Sequence, residues 1–257
     1  MTDLKNYLDV ALEAVDSAVS IVSKNFGKRI DFDTKSGAGD WVSEVDVSAE
    51  KAVRVVLEKH TPDFGVVGEE LGSEVKEFTW YVDPLDGTNN YLRGVPIYGV
   101  SLGLALDGEP VLGVIADPQN NDVYTSVQHQ GAFRNGDRIQ VSDRSQEESI
   151  IILNQIGLDE EVQKVVLQIE KEFDKARMIY CGTISQLWFA SGKYDAFFCD
   201  MSGGGPWDFV AGVSISREAG GIVTDFQGNH KDLLDSKQLL FGNDVTHPAL
   251  LRLLNNR

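Results

Sequence analysis

The sequence predicts a mixed α/β fold of layered helices and sheets. Three observations carry that expectation: an amphipathic helical repeat at the amino end, closely spaced apolar runs broken by turn residues in the first half, and a regular strand–helix alternation in the second. At 257 residues, with 42% hydrophobic and 25% charged side chains, the chain has ordinary globular composition and enough apolar material for a sizeable core. The length suits one large domain or two intimate lobes.

Residues 3–26 read as a helix, because Leu4, Leu8, Ala11, Val15, Ala18, Val22 and Phe26 recur at three- and four-residue steps. Gly27 supplies its stop. A loop follows to Asp46, which is placed to cap a second helix carrying Val53, Val56 and Leu57. Short apolar runs at Phe64–Val67 and Trp80–Val82 end in Gly68-Glu69-Glu70 and Asp83. Ile97–Leu106, Pro110–Ala116 and Val123–Val127 read as strands, close enough in sequence to be antiparallel. Asp107-Gly108, Asn120, Gly131 and Asn135-Gly136 mark turns.

In the second half, strands are predicted at Ile150–Leu153, Met178–Tyr180, Ala196–Phe198, Ile222–Thr224 and Leu239–Gly242. Helices are predicted at Val162–Phe173, Ser185–Ala190, Val210–Ala219 and the carboxyl end. The polar stretch at 143–149 is the natural division, giving an N-terminal α+β lobe at 1–145 and a C-terminal α/β lobe at 146–257. No internal repeat is visible.

The formal net charge is −17, and no run of Lys and Arg exists to line a duplex, so direct nucleic-acid contact is not expected. The acidity as a whole reads as a solvated surface. Cys181 and Cys199 have neither the count nor the spacing of a zinc site or disulfide framework, and read as free thiols of a reducing compartment. The first residues carry charges where a secretion signal would be apolar, and no stretch has the roughly 18 apolar residues of a membrane span. A cytoplasmic protein without membrane contact is the expectation.

The stretch Trp80–Tyr91, WYVDPLDGTNNY, is the most informative. An extended run delivers Asp83, Pro84 interrupts the sheet ladder so that the chain turns, and Asp86 follows. Gly87 permits close approach of a ligand to the backbone. Thr88, Asn89 and Asn90 offer polar groups and, if a helical turn starts there, backbone donors for an anion. Two carboxylates beside such a turn suit a hard cation shared with a phosphate oxygen, which is how Mg²⁺ is commonly held. Two further acid sites sit at element ends, Glu69-Glu70 and Pro206-Trp207-Asp208. Taken singly, each has an ordinary reading: turn residues, a solvated loop, a helix N-cap. Taken together they point to a composite site on one rim of a sheet.

The strings GEE, DPLDGTNN and PWDFVAG, in this order, resemble the inositol monophosphatase family over nearly the whole chain. The resemblance implies a layered αβαβα sandwich, magnesium-dependent hydrolysis of a small phosphate monoester, sensitivity to lithium, and a homodimer. It implies a first Mg²⁺ on Glu69, Asp83 and the Leu85 carbonyl, a second on Asp83, Asp86 and Asp208, and a third, weaker ion near Glu69. Asp46 would bond Thr88, and that pair with Glu69 would orient the attacking water. Backbone N–H groups of Gly87 and Thr88 would hold the phosphate. Gly182, Thr183 and Asp208 would face the substrate, and Lys35 would stand on a loop near the metals. Many members carry an acid shortly after the strand at 195–198; here CDMSGGGPWD intervenes, and Asp200 is the nearest acid.

An aspartyl-phosphate enzyme would carry Asp-x-Asp-Gly-Thr; the extra residue here argues against covalent attack by Asp83. Inositol 1-phosphate is ranked first, since Asn89-Asn90 replaces the Lys-Glu run of the nucleotide-phosphatase branch. Fructose 1,6-bisphosphate and histidinol phosphate are the alternatives, as is a transcription-associated binding role reported for some bacterial members.

Overall fold

The computed structural model describes residues 4–34, 41–154, 160–173, 175–200, 204–236 and 238–255. In chain order the elements are α1 (Leu4–Asn25), β1 (Phe32–Thr34), β2 (Trp41–Ser43), α2 (Glu44–His60), β3 (Gly65–Gly68), β4 (Ser73–Glu74), β5 (Phe78–Asp86), α3 (Thr88–Leu92), β6 (Gly99–Leu106), β7 (Glu109–Asp117) and β8 (Asp122–Val127). They continue with β9 (Gly131–Arg134), β10 (Asp137–Ile139), β11 (Ile150–Asn154), α4 (Glu160–Glu172), β12 (Lys175–Met178), α5 (Gly182–Ala190), β13 (Ala196–Asp200), α6 (Val210–Glu218), β14 (Ile222–Asp225), β15 (Gln238–Gly242) and α7 (Thr246–Asn255).

An eight-stranded sheet runs in the order β10-β9-β8-β7-β6-β5-β3-β4, and a five-stranded sheet in the order β12-β11-β13-β15-β14. Helices α1 and α2 cover one face of the larger sheet; α5 and α6 fill the space between the sheets; α4 and α7 cover the far face of the smaller one. This is the αβαβα layering expected.

Burial on both faces explains the apolar strands of the second half. In β13, Phe197 and Cys199 join the cluster between the sheets, while Ala196 and Phe198 join the outer cluster with α4 and α7. The alternation is the period-two pleat of a strand. The inner cluster also draws Val67, Tyr81 and Ala105 from the larger sheet, so the two sheets share one core. The connection at 140–149 is tied across by Asp195, which accepts from Ser142 Oγ (2.5 Å), Arg144 Nη1 (2.7 Å) and the Ile150 amide (2.7 Å).

Two glycines seat α6. Gly103 and Gly113 are register partners on β6 and β7, and a Cβ on either would run into the backbone of Ala211. Glycine there lets α6 lie directly on the sheet, which holds the segment just before it, including Asp208, at the sheet's rim. Gly103→Ala is expected to lose about 1–3 kcal/mol by overpacking, read as a drop in the urea midpoint at unchanged slope.

Several expectations need correction. Pro84 does not end its strand: β5 runs on to Asp86 through an irregularity between Asp83 and Asp86, with Asp83 opposite Ser101 and Asp86 opposite Gly99. A bulge accommodates the proline and re-aims the side chains after it. Asp46 is not the N-cap of α2. Ser43 is, and Asp46 is the third helical residue of a capping box. The strand placed at Met178–Tyr180 lies earlier, at Lys175–Met178, because Tyr180 adopts φ 56° to turn the chain into α5. The short strands β1, β2, β4, β9 and β10, of two to four residues each, had no periodic signal to show them.

Candidate metal centre

Three segments converge at one rim of the larger sheet. β3 ends at Gly68 and presents Glu69; β5 presents Asp83 and Asp86; a short 3₁₀ turn at Pro206–Asp208, ahead of α6, presents Asp208. Carboxylate oxygens of Glu69, Asp83 and Asp208 lie within 4.8 Å of one another.

Asp83 is 1% exposed. Its Oδ1 accepts from the Leu85 amide at 3.0 Å, while Oδ2 is buried with no hydrogen-bond partner among the described residues. Burial, then the charges of Glu69, Asp86 and Asp208, raise its carboxyl well above the usual range. Asp208 is raised likewise, first by burial and then by Glu69 and Asp86, against a lowering contact from the Gly205 amide. That amide donates to Asp208 Oδ2 at 2.9 Å. So Asp208 turns back on Gly205 and does not cap α6, whose first flanking residue is Phe209. A Cβ at Gly205 would strike the Trp207 ring, which accounts for the glycine.

Three carboxylates crowded together, with Asp83 buried and the other two partly so, are unfavourable without a cation. The donor set is all oxygen, which fits a hard divalent ion such as Mg²⁺ rather than a thiolate-seeking one.

Asp86 stands beside this trio. Its Oδ2 accepts from the Thr183 amide at 2.6 Å, Thr183 Oγ1 at 2.8 Å and Cys181 Sγ at 3.2 Å. Thr183 is fully buried, and both its amide and its hydroxyl donate to Asp86, so it holds that carboxylate in place. Gly182 opens α5 beside Asp86 and Asn154. Gln186, one turn on, donates to the carbonyls of Gly182 and Asp208, both at 2.9 Å.

Gly87 holds φ 86°, and a Cβ on it would approach the Ile97 carbonyl to 2.9 Å. The turn it makes lifts Thr88 to the start of α3. Thr88 Oγ1 lies 3.1 Å from Asp46 Oδ1 and 3.0 Å from the Leu85 carbonyl; its single hydrogen serves one acceptor at a time. Asp46 Oδ2 is held by the Ser43 amide (2.9 Å) and hydroxyl (2.5 Å). Burial raises the Asp46 carboxyl, partly offset by these Ser43 and Thr88 bonds.

Asp200 is the last residue of β13 and is buried. Strand alternation turns it to the side of Gln238, whose Nε2 donates to it at 3.3 Å. Cys199 takes the inner position, where burial and then the charge of Asp208 push its thiol up. Lys35 and Gly203 lie outside the described residues. The Arg93 guanidinium, on the residue after α3, lies 4.4 Å over the ring of Trp41 in β2. Ser43 was legible in retrospect: Ser-x-x-Asp ahead of an apolar repeat is a capping box. Nothing in the sequence marked Gln186.

The chain matches the inositol monophosphatase family over residues 3–257. It is 33% identical over 254 residues to an inositol-1-monophosphatase of Mesorhizobium japonicum, covering 95% of this chain and 94% of that one. A fructose-1,6-bisphosphatase/inositol-1-monophosphatase of Aquifex aeolicus is 33% identical over 98% of this chain and 96% of its own. The solved structure of the extragenic suppressor protein suhB from Bartonella henselae superposes with a TM-score of 0.90 at 30% identity, over 97% of this chain and 98% of that one. Site and fold thus define a phosphatase, a phosphoric monoester hydrolase. The chain belongs to the inositol monophosphatase family.

Proposed function

We propose that this chain hydrolyses inositol 1-phosphate with Mg²⁺ held by Glu69, Asp83, Asp86, Asp208 and the Leu85 carbonyl. The observation that carries the metal assignment is the convergence of three carboxylates around the unpartnered Asp83 Oδ2. Bound there, Mg²⁺ would supply Lewis-acid polarisation of the phosphoryl group and charge for the leaving oxygen. Glu69 and Thr88 Oγ1 orient the attacking water. Thr88 accepts from that water while Asp46 Oδ1 holds the threonine hydrogen, and the raised Asp46 carboxyl suits it to take a proton. Backbone N–H groups of Gly87 and Thr88 hold the phosphate. Asp86, fixed by Thr183, completes the metal set. No covalent phosphoenzyme forms.

Inositol 1-phosphate leads because Asn89-Asn90 follows Gly87-Thr88 and the Mesorhizobium relative bears that activity in its name. The Aquifex relative's double name keeps fructose 1,6-bisphosphate as the second reading. In the same proposal, lobes 1–145 and 146–257 divide the ligands, the second supplying Asp208, in a cytoplasmic homodimer. Among the described residues no helix is long and apolar enough to cross a membrane.

Phosphate release from a panel of esters, in Mg²⁺ and in EDTA, tests this reading. Inositol 1-phosphate is expected to have the highest kcat/KM and EDTA to abolish turnover; a metal-independent rate would refute the metal assignment, and a sugar bisphosphate ahead of the inositol ester would replace the substrate. Li⁺ is expected to inhibit uncompetitively or in mixed fashion by occupying the Asp83–Asp86–Asp208 side without Mg²⁺'s second charge. LiCl and KCl acting alike at equal ionic strength would remove that expectation.

A further inference from the structure

The α2 helix carries a second buried carboxylate on the same side as Asp46, four residues on. Glu50 is 0% exposed. Its Oε1 pairs with Arg54 Nε at 2.7 Å and accepts from the Leu71 amide at 3.2 Å; its Oε2 accepts from the Glu70 amide at 2.7 Å. Arg54 reaches further, its Nη2 donating to the Gly72 carbonyl at 2.6 Å. A Cβ at Gly68 would collide with the Glu50 carboxylate, so the glycine of the Gly-Glu-Glu string exists to admit it.

These contacts bracket Glu69. Its own amide donates to the Val82 carbonyl at 3.2 Å, one residue before Asp83, while Glu50 takes the next two amides. The backbone of Glu69 is thereby held from β5 on one side and from α2 on the other. A buried carboxylate persists only when paired and hydrogen-bonded, and here two of its three donors belong to the loop that presents Glu69.

We propose that Glu50, locked by Arg54, is a positioning residue that presets Glu69 for the metal. Through Asp46 and Glu50, one turn apart, α2 then sets both Thr88 and Glu69, the two groups flanking the attacking water. The inference rests on the reading of Glu69 as a metal ligand. Groups that orient a ligand from behind typically affect metal affinity by about 10–100-fold when removed.

The test is calorimetric titration of Mg²⁺, and of Mn²⁺ as a probe, into wild type, Glu50→Gln, Arg54→Gln and Glu69→Gln, with circular dichroism and melting in EDTA as fold controls. Glu50→Gln is expected to weaken metal binding about 10–100-fold, with kcat largely restored at saturating Mg²⁺. Arg54→Gln is expected to show a smaller loss in the same direction. A merely structural Glu50 would lower the melting temperature in EDTA and leave metal affinity unchanged; a folded Glu50→Gln with wild-type affinity overturns the proposal. If Glu50→Gln does not fold, Arg54→Gln decides, and wild-type affinity there overturns it. Wild-type affinity in Glu69→Gln would instead remove Glu69 from the metal set, and the proposal with it.

Discussion

Asp83→Asn is expected to lower kcat/KM by roughly 10³-fold or more, because the several kcal/mol of charge stabilisation that the proposed metals would supply depends on the carboxylate they would share. The same change should leave the metal-free fold more stable. Asp83 is buried among Glu69, Asp86 and Asp208, with one oxygen unpaired, and asparagine removes a charge without changing shape. The sign of the pH dependence follows from the raised carboxyl. In the metal-free folded state Asp83 keeps a proton that the unfolded chain releases in the ordinary carboxyl range. Stability therefore falls as pH rises from that range through the folded-state value. The advantage of Asp83→Asn in EDTA should grow from pH 5 to pH 8. Added Mg²⁺ should raise the melting temperature of the wild type, most at the higher pH, and that of the variant little. An active Asp83→Asn enzyme, or a wild type whose melting ignores Mg²⁺ at every pH, would sink the assignment.

The motif residues were legible because their chemistry is local and their order is unusual. Gly-Glu-Glu, Asp-Pro-Leu-Asp-Gly-Thr and Pro-Trp-Asp each sit at an element end, and the layered fold carries them to one rim. What stayed hidden depends on registers and packing. Proline in a strand reads as a stop, yet the bulge after Asp83 absorbs it. The bonds from the Thr183 amide and hydroxyl to Asp86, 97 positions away, could not be read from the sequence. Which of Cys199 and Asp200 points between the sheets is set by the pleat of β13, which gives the inner position to Cys199. Glu50 looks like any helix-surface acid, because its partners Glu70 and Leu71 lie 20 and 21 residues on. Long-range pairing of this kind leaves no periodic trace in a single sequence.

Thr88→Ala is expected to lower kcat by roughly 10²-fold or more, the range of lost general-base assistance, with little change in KM or metal affinity. The reasoning is geometric. The hydroxyl oxygen is fixed between Asp46 Oδ1 and the Leu85 carbonyl, and it stands beside the acids without being one of them. In the proposed mechanism, removing it would take away the acceptor for the water's proton while leaving the carboxylate cluster as it was. Asp46→Asn should cost a similar factor, since the amide can hold the threonine but cannot take its proton. It also disturbs the capping box at Ser43, so a loss of α2 stability must be measured alongside. The decisive quantity is the double variant. If Thr88 and Asp46 act as one relay, the second change should cost far less than it does alone, a coupling well above the few tenths of a kcal/mol seen between independent sites. Additive losses would separate the two residues and leave Glu69 as the group that orients the water. A covalent phosphate trapped on Asp83 or Asp86 in the Thr88→Ala protein would displace direct water attack altogether.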